Sequence, residues 1–256
     1  MQLTVLKIGG NVINNPAALH EALDYFAGLV EPAVLVHGGG RKASQVISEM
    51  GREPVMIDGR RITDEATLEI VTMVYAGLLN KTIVAQLQSR GTNAIGLSGA
   101  DANAVLAEKR PVGKIDYGFA GDVRAVNASL LEGLLRLGLR PVLCPITHDA
   151  RGQLLNTNAD TIANETARAL ATTFRVSLKY CFELPGVLRD INDPDSVIGE
   201  LRPDSYADYK ASGVIAGGMI PKLDNAFSAV AAGVSEVVIG NLTALRSGGG
   251  TVLSAA

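Results

Sequence analysis

The 256-residue chain reads as an α/β protein, an open, mostly parallel sheet sandwiched between helices. Three observations predict this. Apolar runs at 3–8, 33–36 and 140–146 lack the alternation of a half-solvated strand and suit strands covered on both faces. The first two runs end in glycines and lead into helical patterns, and strand, turn and helix twice in succession imply parallel strands with helical crossovers. The composition, 47% hydrophobic but only 4% aromatic, fits Ala-, Val- and Leu-rich helices packed on such a sheet.

The elements follow in order. Strand 3–8 ends at Gly9-Gly10-Asn11, and Pro16 opens a helix to residue 29. Strand 33–36 ends at His37-Gly38-Gly39-Gly40, and a helix follows over 42–50. After a short extended segment at 55–58, Thr63-Asp64-Glu65 caps a long helix over 64–90, stopped by Gly91. Residues 93–97 form a strand. The polar stretch 105–126, with Lys109-Arg110-Pro111 and Tyr117-Gly118, predicts hairpins that cover a site rather than build core. A helix at 129–137, a strand at 140–146 and a turn at Asp149-Ala150-Arg151-Gly152 precede Leu154-Leu155 and a helix ending near 171. Strands at 175–182 and 186–191, a turn at Asn192-Asp193-Pro194-Asp195 and a helix at 205–212 come next. A glycine-rich break at 213–218, a helix from Pro221 to 232 and closing strands at 235–239 and 250–253 complete the chain. A soft boundary near 173 divides it into lobes 1–172 and 173–256.

A formal charge of -3 with no Lys/Arg block points away from nucleic acid or an anionic membrane as partner. Cys144 and Cys181 are too few for a disulfide scaffold or a structural zinc site and read as buried thiols. The chain opens on a strand-like run, without a signal-peptide pattern, and no apolar stretch reaches the roughly 20 residues that span a bilayer. The expectation is a soluble, cytoplasmic protein.

Lys7 lies in a buried run, where an unpaired charge is costly, unless it sits at the strand's carboxyl end and meets a partner or ligand. Gly9-Gly10 places it there. That turn and Gly38-Gly39-Gly40 both join strand to helix, so backbone N–H groups can approach phosphate or carboxylate. Gly59-Arg60-Arg61-Ile62-Thr63 offers guanidinium groups suited to carboxylates. In Asn156-Thr157-Asn158-Ala159-Asp160, Asn158 can cap a helix, but capping does not require the neighbouring Asn156 and Asp160. In Gly217-Gly218-Met219-Ile220-Pro221-Lys222, Lys222 begins a helix against the dipole, which invites an anion. Two lysines, two glycine turns, an aspartate and an arginine, with no histidine base in evidence, describe phosphoryl transfer. One alternative stays open. Gly38-Gly39-Gly40-Arg41-Lys42-Ala43 fits a dinucleotide fingerprint with Asp58 as the ribose acid, which would make the chain an NAD(P)-dependent reductase. That reading leaves Lys7, Gly10 and everything beyond 150 without a role.

Taken in order, Lys7-Ile8-Gly9-Gly10, the His37–Gly40 turn, the Gly59–Thr63 segment, the Asn156–Asp160 segment and the Gly217–Lys222 segment resemble the motifs of the amino acid kinase family over essentially the whole chain. The resemblance implies an open eight-stranded sheet and transfer of a phosphoryl group from ATP, with Mg2+ carried by the nucleotide and no protein metal cage. The acceptor it implies is the side-chain carboxylate of N-acetyl-L-glutamate, in arginine biosynthesis, with N-succinyl-L-glutamate as the alternative. Lys7 and Lys222 would stabilise the transferred phosphoryl group and Asp160 would hold both ammonium groups. Gly10 and Gly39 would bind phosphoryl oxygens. Gly39, Gly40, Arg61 and Asn156 would bind the acylglutamate, with Arg61 clamping a carboxylate. Glu183, Gly186, Gly217 and Gly218 would lie on the nucleotide side. Two departures fall there: Tyr180-Cys181-Phe182-Glu183-Leu184 replaces an apolar run ending in Thr/Ser-Asp-Val, and Ala216 stands where threonine is common. The first strand begins near Leu3, with no room for the extra N-terminal helix that marks arginine-inhibited, hexameric members. The expectation is therefore a homodimer held by the 64–90 helix and insensitive to L-arginine.

Overall fold

The computed structural model describes residues 1–57, 59–217 and 219–254, and for Pro221 the backbone only. Two residues singled out in the sequence, Asp58 and Gly218, lie outside the described residues. Among the described residues there are fourteen strands: β1 (Gln2–Ile8), β2 (Ala33–His37), β3 (Met56–Ile57), β4 (Arg60–Arg61), β5 (Ala94–Leu97), β6 (Val105–Lys109), β7 (Ala120–Val126), β8 (Arg140–Leu143), β9 (Ile146–His148), β10 (Leu154–Thr157), β11 (Arg175–Cys181), β12 (Glu200–Leu201), β13 (Glu236–Gly240) and β14 (Thr251–Leu253). The helices are α1 (Gly10–Asn14), α2 (Pro16–Ala27), α3 (Gly40–Glu49), α4 (Glu65–Thr72), α5 (Asn80–Gln88), α6 (Ala128–Arg136), α7 (Ala159–Leu170), α8 (Pro203–Ala211), α9 (Met219–Ala231) and α10 (Leu242–Ser247).

The main sheet has eight strands in the order β12-β14-β13-β11-β1-β2-β8-β5, all parallel except the β13–β14 pair. β1 sits inside it, paired with β2 on one side and β11 on the other. Because side chains alternate across a strand, Leu3 and Val5 face one helical layer while Leu6 and Ile8 face the other. The first layer buries Leu3, Val5, Val36, Leu178 and Tyr180 against α6, α7, α8 and α9. The second buries Leu6, Ile8 and Leu35 against α2, α5 and α10. A third cluster joins α3 and α4 through Ala43, Ile47, Leu68 and Val71.

The capping residues behave as their chemistry demands. Asn15 accepts from Ala17 and Ala18 N–H with Pro16 at the first helical position, and Asp64 accepts from Thr67 N–H at 2.8 Å. Several elements differ from expectation. Gly10 opens α1 instead of continuing a turn. The 64–90 helix is continuous from Glu65 to Gln88 but π-helical over Met73–Leu79. At 24 residues, and apolar on average, it has the length and composition to cross a bilayer, contrary to the expectation that no stretch would; Leu68, Val71, Ile83 and Leu87 instead bury one side of it. The polar 105–126 stretch is a hairpin, β6–β7, which closes with β9 and β10 into a small four-stranded barrel. Residues 186–191 are not a strand: Ile198 N–H bonds Val187 and Arg189 N–H bonds Ser196, so the chain doubles back on itself. Cys144 and Cys181 are free and buried, and burial pushes their thiols up to about 12 and about 11, away from reactivity.

Candidate active site

The site forms at the carboxyl ends of β1, β2 and β11, where chain connections leave β1 in one direction and β11 in the other. Lys7 is the penultimate residue of β1, on the face of Leu3 and Val5, and is only 7% exposed. The helix covering that face is α7. Its N-cap, Asn158, accepts from Asp160 N–H at 2.8 Å and from Thr161 N–H at 3.2 Å, and so aims the first turn at the strand end. Asp160 Oδ1 stands 2.6 Å from Lys7 Nζ, an ion pair whose angles do not make a hydrogen bond. Asn158 is thus a cap, as helix chemistry alone suggests, while Asp160 exceeds that role.

The two glycine turns meet. Gly38 N–H bonds Ile8 O at 3.1 Å, and a Cβ on Gly10 would lie 3.9 Å from the backbone nitrogens of both Gly40 and Arg41. The starts of α1 and α3 therefore converge on one point. Gly39 adopts φ 149°, and a Cβ there would overlap Leu79 and crowd Tyr75 from the π-helical segment. This glycine makes room for the protein's own side chains, which removes the main support for a dinucleotide fingerprint.

His37, next to this turn, is a packing residue. Its Nδ1–H donates to Gly38 O at 2.8 Å and its Nε2 accepts from Asn80 Nδ2 at 3.2 Å. Burial pushes its pKa down to about 4, and the Lys81 charge adds to this against the Gly38 hydrogen bond. The unfolded chain, with a histidine pKa of about 6.5, binds the proton that the folded chain refuses. Stability from neutral His37 is therefore complete above about pH 6.5 and lost as pH falls towards 4, by about 3 kcal/mol over that window. Urea denaturation at pH 7 and pH 4.5 should show this loss, and His37→Gln should remove most of it. An unchanged pH dependence in the variant would assign the loss to carboxylates.

Arg61 is 5% exposed. Its Nη2 donates to Gly40 O and Ser44 Oγ, both at 2.8 Å, while Nε and Nη1 are buried without a partner. These two unpaired N–H groups lie on different sides of the guanidinium, so they are separate donors in the cavity wall for an anionic ligand. That cavity, about 220 Å3, is also lined by Lys7, Gly39, Gly40, Tyr75 and Asn156. Asn156 donates to Thr63 Oγ1 at 3.0 Å, and Thr63 Oγ1 donates to Arg61 O, so the two substrate candidates are braced through one hydroxyl. Arg110 also reaches this cavity, but both Asp122 oxygens accept from its Nε at 3.1 Å, so it brings no surplus charge. Lys109 instead lies 4.7 Å over the Phe119 ring.

A second cavity, about 670 Å3, shares Lys7, Gly10, Gly40 and Arg61 with the first and extends to Glu183, Gly186 and Lys222. Lys222, in the first turn of α9, does not pair with Asp160; its ammonium lies 4.2 Å from the centroid of Phe182. A Cβ on Gly186 would press on Val197 and Thr251, so packing as well as the cavity requires this glycine. Gly217 takes φ 56° before α9 and lines neither cavity. Ser44, Tyr75 and Phe182 were not anticipated. Only Phe182 left a signal, since it follows Tyr180 by two residues, just past the end of β11, where extended chain keeps it on the same face.

Residues 2–241 match the amino acid kinase family. The chain is 54% identical over 252 residues to the acetylglutamate kinase of Phocaeicola vulgatus, covering 98% of each. It is 57% identical over 239 residues to the acetylglutamate kinase of Cytophaga hutchinsonii, covering 93% of this chain and 90% of that one. Among solved structures, smu.665 from Streptococcus mutans UA159 is similar with a TM-score of 0.81 at 28% identity, covering 98% of each chain. With lysines, glycine turns and aspartate gathered at one sheet edge and these likenesses running its full length, the chain belongs to the amino acid kinase family.

Proposed function

We propose that the protein transfers the terminal phosphoryl group of ATP to the side-chain carboxylate of N-acetyl-L-glutamate, giving N-acetylglutamyl 5-phosphate for arginine biosynthesis in the cytoplasm. One observation carries this reading: two cavities share Lys7, Gly10 and Arg61, whose Nε and Nη1 have no partner, and the second extends to Lys222. In it, Arg61 binds the α-carboxylate, and Asn156, Gly39 and Gly40 hold the rest of the acceptor. Glu183 and Gly186 lie with the nucleotide, so that residues 1–172 serve the acceptor and residues 173–256 serve ATP.

An acceptor oxygen attacks the γ-phosphorus, the bond to the β-phosphate oxygen breaks, and ADP leaves. A carboxylate is already ionised at neutral pH, so no base has to remove a proton, which accounts for a site without a catalytic histidine. What remains is charge stabilisation. Lys7 and Lys222 meet the negative charge on the phosphoryl oxygens, N–H groups at Gly10 and Gly39 add directed donors, and Asp160 positions Lys7. Among the described residues no cluster of three acidic, His or Cys side chains could hold a metal ion. The donors here are ammonium and amide groups, which suit phosphate oxygens, so Mg2+ enters with the nucleotide and supplies further charge neutralisation.

Met73 and Leu78, both half exposed on the long helix, support pairing of two chains through it. Coupled ADP-release assays with MgATP and a panel of N-acylglutamates test the function. Turnover with N-acetylglutamate is expected. A clear preference for N-succinylglutamate would reassign the acyl group, and NAD(P)H binding without ADP release would overturn the reading.

A further inference from the structure

Asp160 was expected to hold both lysines, but it holds Lys7 alone. Lys222, an exposed residue, is then left without that anchor. It sits in the first turn of α9, where the helix dipole disfavours a cation, and it shares a cavity with the ammonium of Lys7. Among the described residues no carboxylate lies within ion-pair reach of it. Its neighbour is the Phe182 ring, with the ammonium 4.2 Å from the centroid, well inside the roughly 6 Å range at which a ring face attracts a cation. Lys7 Nζ is 5.9 Å from the same centroid.

The ring is held in place. Phe182 stacks on Tyr180 with centroids 6.0 Å apart and planes 9° from parallel. Tyr180 is the register partner of Lys7 across β1 and β11, and its hydroxyl donates to Asp160 O at 3.4 Å. Burial first, and the Asp160 charge second, push that hydroxyl well above the usual tyrosine range, so it stays protonated as a donor. The Tyr180–Phe182 stack thus touches Lys7, Asp160 and Lys222 together.

We infer that Phe182 is a positioning residue for phosphoryl transfer, whose ring face holds the Lys222 ammonium at the nucleotide cavity without neutralising it. A carboxylate in that place would also fix the lysine, but would cancel the charge that the transferred group needs. A quadrupole attracts the cation and leaves its full charge available. This deepens the kinase reading and rests on it.

The test combines kinetics with a measurement that needs no turnover. Phe182→Leu should lower kcat about tenfold while leaving KM for the acceptor within about twofold, and Phe182→Tyr, which keeps the ring, should restore most of it. In a Lys222→Met background, Phe182→Leu should cost nothing further, because its effect acts through the lysine. A side chain that merely packed would lower stability in both backgrounds alike. Independently, reductive 13C-methylation of the folded protein should place the Lys222 methyl resonance upfield by ring current, and Phe182→Leu should return it to the position of exposed lysines. If Phe182→Leu does not fold, Phe182→Met serves, with circular dichroism as the check. Wild-type kcat in Phe182→Leu, or an unshifted Lys222 resonance in the wild type, overturns the assignment. If the wild-type protein releases no ADP with any N-acylglutamate, the kinase reading has failed, while the resonance still decides the lysine–ring contact.

Discussion

Replacing Lys7 with alanine is expected to lower kcat by roughly 10²-fold or more, with KM for both substrates within a few-fold of wild type. The asymmetry follows from where the charge is needed. Lys7 stands at the junction of the two cavities and is held 2.6 Å from Asp160. On the proposed reading its ammonium would meet ground-state phosphate and the additional charge of the transition state, and only the difference would accelerate the reaction. The variant also leaves Asp160 without its cation, so an anion would face an anionic substrate. Initial rates of ADP release, with each substrate varied in turn, separate the two parameters. A kcat within about a factor of two of wild type would remove Lys7 from the transfer step.

Arg61→Lys should act on the opposite parameter. KM for the acceptor should rise by roughly 30- to 100-fold, the scale of losing a charge-assisted pair of hydrogen bonds, while KM for ATP moves little. Arg61 spends Nη2 on Gly40 O and Ser44 Oγ, while its Nε and Nη1 have no partner. A lysine carries the charge but has one nitrogen, so it cannot brace the α3 turn and also offer a donor to a ligand on another side. If affinity for ATP falls instead, the two cavities have been given to the wrong substrates. If neither KM moves, the orphaned N–H groups of Arg61 face water and not a ligand.

Much of this arrangement was legible in the sequence because it rests on local rules. A lysine one residue from a strand's end, glycines behind it and an asparagine capping the helix that carries Asp160 each have one natural location in a parallel sheet. The mostly parallel sheet followed for the same reason, since strands buried on both faces read as unbroken apolar runs, whereas its eight strands were implied by the family resemblance. What escaped depends on contacts between distant residues. The π-helical stretch exists where Tyr75 and Leu79 pack into the space left by Gly39, some forty positions earlier, and no helical periodicity announces it. β12 is two residues long and is defined by pairing with β14. Lys222 does line the second cavity, but beside the Phe182 ring and not paired with the Asp160 carboxylate that the sequence reading gave it.

The three strands that lead into the candidate site are neighbours inside the sheet: β1 brings Lys7, β2 leads into the glycine turn, and β11 leads into Phe182. Interior strands of a sheet are the segments whose amides exchange with solvent only when the entire molecule opens. Backbone amides of Leu6, Val36 and Leu178 should therefore be among the slowest to exchange deuterium, while those of the 186–198 loop exchange early. Inactivation by heat should then coincide with global melting instead of preceding it, and sub-denaturing urea should spare turnover until the cooperative transition begins. In this protein the reacting groups are as durable as the fold itself, and what can loosen ahead of it is the covering of the cavities.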